Sequence, residues 1–212
     1  MKTLRQIIEG WEDRKNHWQD KTDFHKVKES YGHYTPQQVE TIRDYQNYSR
    51  AINSYHWEKH HGDLNLSQGY RDHLEKQTGD LDSALQAHKT PKDLTVHSGI
   101  GYDPRTKMNS EGIVHHPAYL STSFDTNTAE NFSIRNQEKE LHKDGYIFHR
   151  HVLKIHVPKG TPSAMHFDGE QELVLPRGTN LRHIKTTKKK GEATNGGISY
   201  KYINHIHHME VV

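Results

Sequence analysis

The sequence predicts an α+β fold, with helices in the amino-terminal part and strands in the remainder. Two observations carry this expectation. Up to about residue 88, apolar residues recur at helical spacing and one helix start is sharply marked. After Pro91 the apolar runs become short, rich in β-branched and aromatic residues, and are punctuated by Gly and Pro. Helices followed by strands, rather than alternating with them, is the α+β order. The length of 212 residues fits a single domain, 1–212, with a mainly helical part over 1–90 and a mainly β core over 91–212.

Taken in order, residues 2–18 place Leu4, Ile7, Ile8, Trp11 and Trp18 on one face of an amphipathic helix, and 19–34 are polar and turn-like. Thr35 is a candidate N-cap, Pro36 suits the first helical position, and Gln38 completes a capping box. Val39, Ile42, Tyr45 and Ile52 continue the stripe to about residue 60. A third helical stretch, 67–88, is interrupted at Gly79, with Leu81 and Leu85 marking its second half. A strand over 93–98 ends at Gly99 and Gly101, and 103–116 reads as a loop. A second strand covers 119–124. Asp125 or Thr126 then caps a short helix that carries Ala129 and Phe132. A longer strand over 146–157 stops at Pro158 and Gly160. Strands follow at 171–176, 181–187 and 198–211, the last two joined by a charged turn over 188–197.

Composition narrows the classes. The chain has no cysteine, which excludes disulfides and thiolate zinc sites and fits a reducing cytoplasm. It shows neither an apolar run long enough to cross a membrane nor a signal-peptide core. Hydrophobic residues make up 31% and mean hydropathy is −1.07, so the core is modest and Tyr, Lys and Arg stems cover part of it. Net charge is +2 with histidine neutral, but twenty histidines make the chain far more basic below about pH 6.5.

The most informative stretch is 168–178. In a strand, Glu170 and Glu172 project to one face and Gln171 to the other. Two close carboxylates repel unless a cation is near, which suits a cationic partner or transition state. The same spacing also suits an exposed strand end with incidental acids. Upstream stand a hydroxyl-rich strand, Ser121, Thr122 and Ser123, and a strand ending in Val96, His97, Ser98 and Gly99.

In this order and spacing the three pieces resemble the mono-ADP-ribosyltransferases of the arginine-specific, toxin-like (R-S-E) clade, and among them the tailed-phage enzymes Alt, ModA and ModB. Ile52 and Asn53, the run 125–132, and the run 175–179 also resemble that family's text, so the resemblance spans 35–187. It implies a mixed two-sheet β core that binds NAD. It also implies transfer of ADP-ribose from NAD to arginine side chains of host bacterial proteins, with loss of nicotinamide and no metal or second cofactor. The implied location is the host cytoplasm, and the implied acceptors are transcription or translation components such as RNA polymerase or ribosome-associated proteins.

Residue by residue, the resemblance assigns Glu172 as the catalytic carboxylate beside the ribose and Glu170 as the acid that orients the acceptor guanidinium. Ser121 positions Glu172 by a hydrogen bond, while Thr122 and Ser123 support the strand and pocket. Local backbone bonding explains the Thr122 hydroxyl equally well. Gly99 lets the backbone approach the nicotinamide amide, and Phe132 packs beside nicotinamide or simply in the core. The loop 160–169, with Phe167, recognises the protein target. One departure stands out: Ser98 occupies the place of the family's first-strand arginine. Arg105 or His97 is the candidate to take over its phosphate contact.

Other features compete. A degenerate transferase fold serving as an RNA- or protein-binding module, using Lys188, Lys189 and Lys190, is the alternative that the missing arginine supports. NAD hydrolysis is a third. His56 and His60 have helical metal-ligand spacing without a third ligand, and His205, His207 and His208 suit a solvated strand as well as a ligand role.

Overall fold

The computed structural model describes residues 27–29, 31, 34–135, 137–142, 145–166, 171–195 and 198–212. The helix expected over 2–18 lies outside the described residues, as do Phe167 and Glu170. Helix α1 (Pro36–His61) begins as its sequence dictates. Thr35 Oγ1 accepts the Gln38 N–H at 3.3 Å and Gln38 Oε1 accepts the Thr35 N–H at 2.9 Å, a complete capping box. Ile42, Tyr45, Ile52 and Tyr55 form its buried stripe, while Val39 is exposed. Helix α2 (Gln68–Ala87) starts at Ser67 and runs through Gly79 without a break. Nothing lies within 4 Å of the Gly79 Cβ position, so this glycine faces solvent and costs only its helix propensity, about 1 kcal/mol. Burial of Leu74, Leu81 and Leu85 along one face overrides that cost.

The strands are β1 (Leu94–Ile100), β2 (Ile113–His116), β3 (Leu120–Ser123), β4 (Glu138–His142), β5 (Gly145–Val157), β6 (Ala164–His166), β7 (Glu172–Leu175), β8 (Thr179–Asn195) and β9 (Ile198–Val211), with helix α3 (Thr126–Arg135) between β3 and β4. They make one hydrogen-bonded path, β2-β8-β9-β5-β1-β3-β7-β6, with β4 on β5. Among the described residues, only β5 and β9 pair in parallel. The β1–β3 link is a single residue pair, His97 with Ser123, so a seam runs there between a larger sheet and the small β3-β7-β6 sheet. Two cores follow. Leu94, Val96, Ile155, Leu173, Leu175 and Met209 belong to one, while α1, α2, Tyr119, Ala164 and Val174 build the other.

Four more expectations change, besides the break at Gly79. β1 continues through Gly99, because its whole length pairs with β5 from Leu94–Val157 to Ile100–His151. The region 103–116 is not all loop: it holds a 3-10 turn, Pro104–Lys107, and β2, which pairs with β8. β6 lies within the segment read as a recognition loop. Residues 188–195 are strand rather than turn, since β8 stays in register with β9 from Thr187–Ile206 to Asn195–Ile198. There the ladder of a long hairpin outweighs the weak β propensity of three lysines.

Gly99 marks a contact that sequence leaves hidden. A Cβ there would sit 2.1 Å from the Ala129 carbonyl oxygen and 2.5 Å from the Ser133 nitrogen, both backbone atoms of α3. Gly99→Ala is therefore expected to displace α3 and cost about 3 kcal/mol in urea unfolding. Gly79→Ala, with open space around it, is expected to stabilise by up to about 1 kcal/mol in the same measurement.

Candidate active site

A cleft of about 600 Å³ opens along the seam. β1, β3 and the start of β7 supply one side, and α1 and α3 supply the others. Glu172 is the first residue of β7 and pairs in register with Ser123. It is 6% exposed, and Gln46 Nε2 of α1 donates to its Oε2 at 3.1 Å. β7 is buried on both faces. Leu173 and Leu175 enter one core and Val174 the other, which fixes the face on which Glu172 emerges.

A chain of hydrogen bonds ties α1 to β3. Asn53 Oδ1 accepts the Tyr119 N–H at 3.2 Å, and Asn53 Nδ2 donates to the Tyr45 hydroxyl at 3.1 Å. Tyr45 in turn meets Ser121 Oγ at 3.0 Å. Burial above all, with the Glu172 charge adding, pushes the Tyr45 phenol far up, so it stays protonated. The hydroxyl of Ser121 is thus bonded to Tyr45 rather than to Glu172. The register explains this: Ser121 lies opposite Val174, and Ser123 is the neighbour of Glu172. Ser123 Oγ accepts the Asp125 N–H at 3.0 Å and so helps to start α3.

Other assigned residues divide clearly. Thr122 Oγ1 donates to the Leu173 carbonyl at 2.6 Å and Ser98 Oγ to the Ser121 carbonyl at 2.9 Å, so both stitch strands together. Gly99 and Phe132 line the cleft, Phe132 being partly exposed and Gly99 pressed against α3. His97 also lines it. Burial first, then Lys154, lowers its pKa to about 4, so near neutrality it offers a hydrogen bond and no charge. Arg105 does not reach in. Its Nη2 lies 2.5 Å from Asp103 Oδ2 and its Nε 3.0 Å from Asp103 Oδ1. Among the described residues, no lysine or arginine lines the cleft. Gln171 has φ of 49°, so the extended alternation expected through 170–172 stops at Glu172.

Sequence reasoning missed Gln46 and Tyr45 as site residues. The signal was present: Gln46 stands seven residues before Asn53, two helical turns, and hence on the same face of α1. His56 and His60 do not converge. His56 Nε2 bonds Thr78 Oγ1 at 3.0 Å, while the His60 ring stands against His61 and His115. His205 and His207 are buried at 5% and 0% exposure, not solvated. No helix among the described residues is long and apolar enough to cross a membrane.

The chain matches the family model described as ADP-ribosyltransferase exoenzyme over residues 15–204. It belongs to that family, whose members use NAD as the donor of ADP-ribose. Compared by sequence with curated proteins, it matches none. Solved structures share the fold. The enzymatic component C2-I of the C2 toxin from Clostridium botulinum is 16% identical with a TM-score of 0.58, over 90% of this chain and 45% of that one. Plx2a, an ADP-ribosyltransferase toxin from Paenibacillus larvae, is 19% identical with a TM-score of 0.53, over 92% of this chain and 95% of that one. C3stau2 from S. aureus, solved with NAD, is 18% identical with a TM-score of 0.53, over 91% and 93%.

Buried histidines, His97 in the cleft and His56 outside it, give the stability of the fold a pH dependence. His56 and His97 both have pKa values lowered from 6.5 to about 4, first by burial. Between those values the unfolded chain takes up protons that the folded chain refuses. Stability is then complete above pH 6.5 and falls as pH drops toward about 4, by about 1.4 kcal/mol per pH unit for each such histidine. Urea unfolding across that range checks the slope, and His97→Asn is expected to make it shallower.

Proposed function

We propose that the chain transfers ADP-ribose from NAD to the guanidinium of an arginine on a protein, releasing nicotinamide. The observation that carries this is Glu172, buried at the start of β7 in the cleft, opposite Ser123 and held by Gln46. The bond from nicotinamide nitrogen to ribose C1′ breaks with its electron pair leaving on the nitrogen, which neutralises the pyridinium. Positive charge builds on the ribose as an oxocarbenium ion. A fixed carboxylate beside that carbon stabilises the charge without reorganising. The acceptor nitrogen then bonds to C1′ and loses a proton. Glu170 is assigned that acceptor step from its place two residues before Glu172, where a carboxylate grips guanidinium bidentately and draws off the proton.

The remaining roles follow the same reading. Ser121 acts through Tyr45, and Ser123 is the strand neighbour that keeps Glu172 in place. His97, Gly99 and Phe132 form the wall for nicotinamide. Ser98 and Thr122 hold the strands that carry the site. The segment around Phe167 meets the protein acceptor. We take 1–212 as one transferase domain, its helices covering an NAD-binding core. The resemblance to arginine-specific phage enzymes supports a bacterial host protein, such as a transcription or translation component, as acceptor in the cytoplasm.

A second reading has one observation in its favour. The cleft has no lysine or arginine among its described lining, and Arg105 is occupied by Asp103. A fold that no longer holds the diphosphate would serve instead as an RNA- or protein-binding module through Lys188, Lys189 and Lys190.

The test is transfer of labelled ADP-ribose from NAD into a bacterial lysate, with an animal-cell lysate beside it. Glu172→Gln is expected to lose both labelling and NAD cleavage by at least about a hundredfold while staying folded. Glu170→Gln is expected to lose protein labelling but to retain NAD cleavage. Undiminished labelling by Glu172→Gln would sink the assignment. No NAD cleavage by the folded protein, together with salt-sensitive RNA binding lost on changing the three lysines to Ala, would establish the second reading.

A further inference from the structure

Parallel strands β5 and β9 carry histidines at alternate positions, His149 and His151 on one and His205 and His207 on the other. Period-two geometry sends all four to the sheet face that also bears Leu153 and Ile155. His151 Nδ1 lies 3.0 Å from His207 Nε2, and His149 Nδ1 lies 2.9 Å from His205 Nε2. The His151 and His207 rings stack with centroids 5.3 Å apart. Over this pair sits Asp103, at the entry to the 3-10 turn that follows β1. One ligand atom from each of Asp103, His151 and His207 lies within 4.8 Å of the others. His151 is 3% exposed and His207 fully buried, so the nitrogens facing each other are His151 Nδ1 and His207 Nε2, while His151 Nε2 makes no hydrogen bond and lies 3.9 Å from Glu138 Oε2.

We propose that Asp103, His151 and His207 bind a divalent transition-metal ion, zinc foremost, at a site separate from the nicotinamide cleft. Two imidazoles and a carboxylate suit zinc with one position left for water. The outer contacts are those of a ligating histidine. His207 Nδ1 meets Thr186 Oγ1 at 3.0 Å, and Thr186 Oγ1 meets His183 Nε2 at 2.8 Å, which holds the ring; with Nδ1–H donating to Thr186 and Thr186 to His183, the His207 Nε2 lone pair is left for the ion. On the other side Asp103 Oδ1 accepts the Arg105 backbone N–H and Nε–H, both at 3.0 Å, and Oδ2 accepts Nη2 at 2.5 Å and shares the Nε–H at 3.1 Å, so Oδ2 offers a lone pair to an ion once that shared N–H settles on Oδ1. The ion ties the turn after β1 to β5 and β9. It thereby braces the strand that presents His97 and Gly99 to the cleft. Its role is structural, and the transfer chemistry proceeds without it.

The test is a titration of the metal-free chain, prepared without a histidine tag, with Co²⁺ followed by visible absorption and then displacement by Zn²⁺. One equivalent is expected to bind tightly, with the intense absorption of a low-coordinate site. Asp103→Asn and His207→Gln are expected to lose that absorption, and Thr186→Val to bind roughly tenfold more weakly. The double change His60→Gln with His61→Gln is expected to leave binding intact, separating the site from surface histidines. Far-ultraviolet circular dichroism shows which variants fold. If His207→Gln does not, Asp103→Asn, on a partly exposed side chain, decides. No stoichiometric uptake by the unaltered chain overturns the proposal. So does absorption that survives in Asp103→Asn, or that vanishes only with the surface pair, because a plain N–H···N hydrogen bond then explains the contact between His151 and His207.

Discussion

The pairing of β3 with β7 is the constraint on which the cleft depends. It places Glu172 opposite Ser123 and buries the three residues that follow on alternate faces. Because β7 has a core on each side, a one-residue slip would move Val174 out of one core and Leu173 out of the other. The same slip would turn Glu172 away from α1. A buried acid is costly where no partner meets it, and here Gln46 supplies a donor. The carboxylate is thus positioned by packing that has no direct part in the chemistry.

The helices hold the two sheets at the seam. α1 reaches β3 through Tyr45 and Asn53, and α3 closes on β1 at Gly99. Each contact uses a residue that a single strand or helix pattern does not explain. Asn53 satisfies a strand N–H across elements, which an apolar stripe residue cannot do. Gly99 removes a side chain where two backbones meet. Between them they decide the width of the cleft, which the single residue pair joining β1 and β3 does not.

Much of the fold was legible. The capping box at Thr35 and Gln38, the stripe of Ile42, Tyr45 and Ile52, and the apolar run of β7 rest on local physics, and each formed as its residues require. What escaped was long-range pairing. Lys188 to Asn195 reads as a turn because lysine and glycine favour none of the alternation of a strand, yet a fourteen-residue partner, β9, draws it into a ladder. β6 and β2 are too short to show a period and exist by pairing with β7 and β8. Arg105 looked available because it follows β1 closely. Its own N-cap, Asp103, takes the guanidinium two residues away.

By itself the sequence determined the order of helices and strands, the helix starts, and the three short motifs on which the resemblance rests. These depend on spacing, capping and turn chemistry within a few residues. Tertiary structure alone decided which side chains meet. It gave Ser121 to Tyr45 and Gln46 to Glu172, and it stacked His151 on His207. Those contacts join residues 56 to 126 positions apart, and the register of distant strands and the seating of α1 on them fix such distances, which no local pattern encodes.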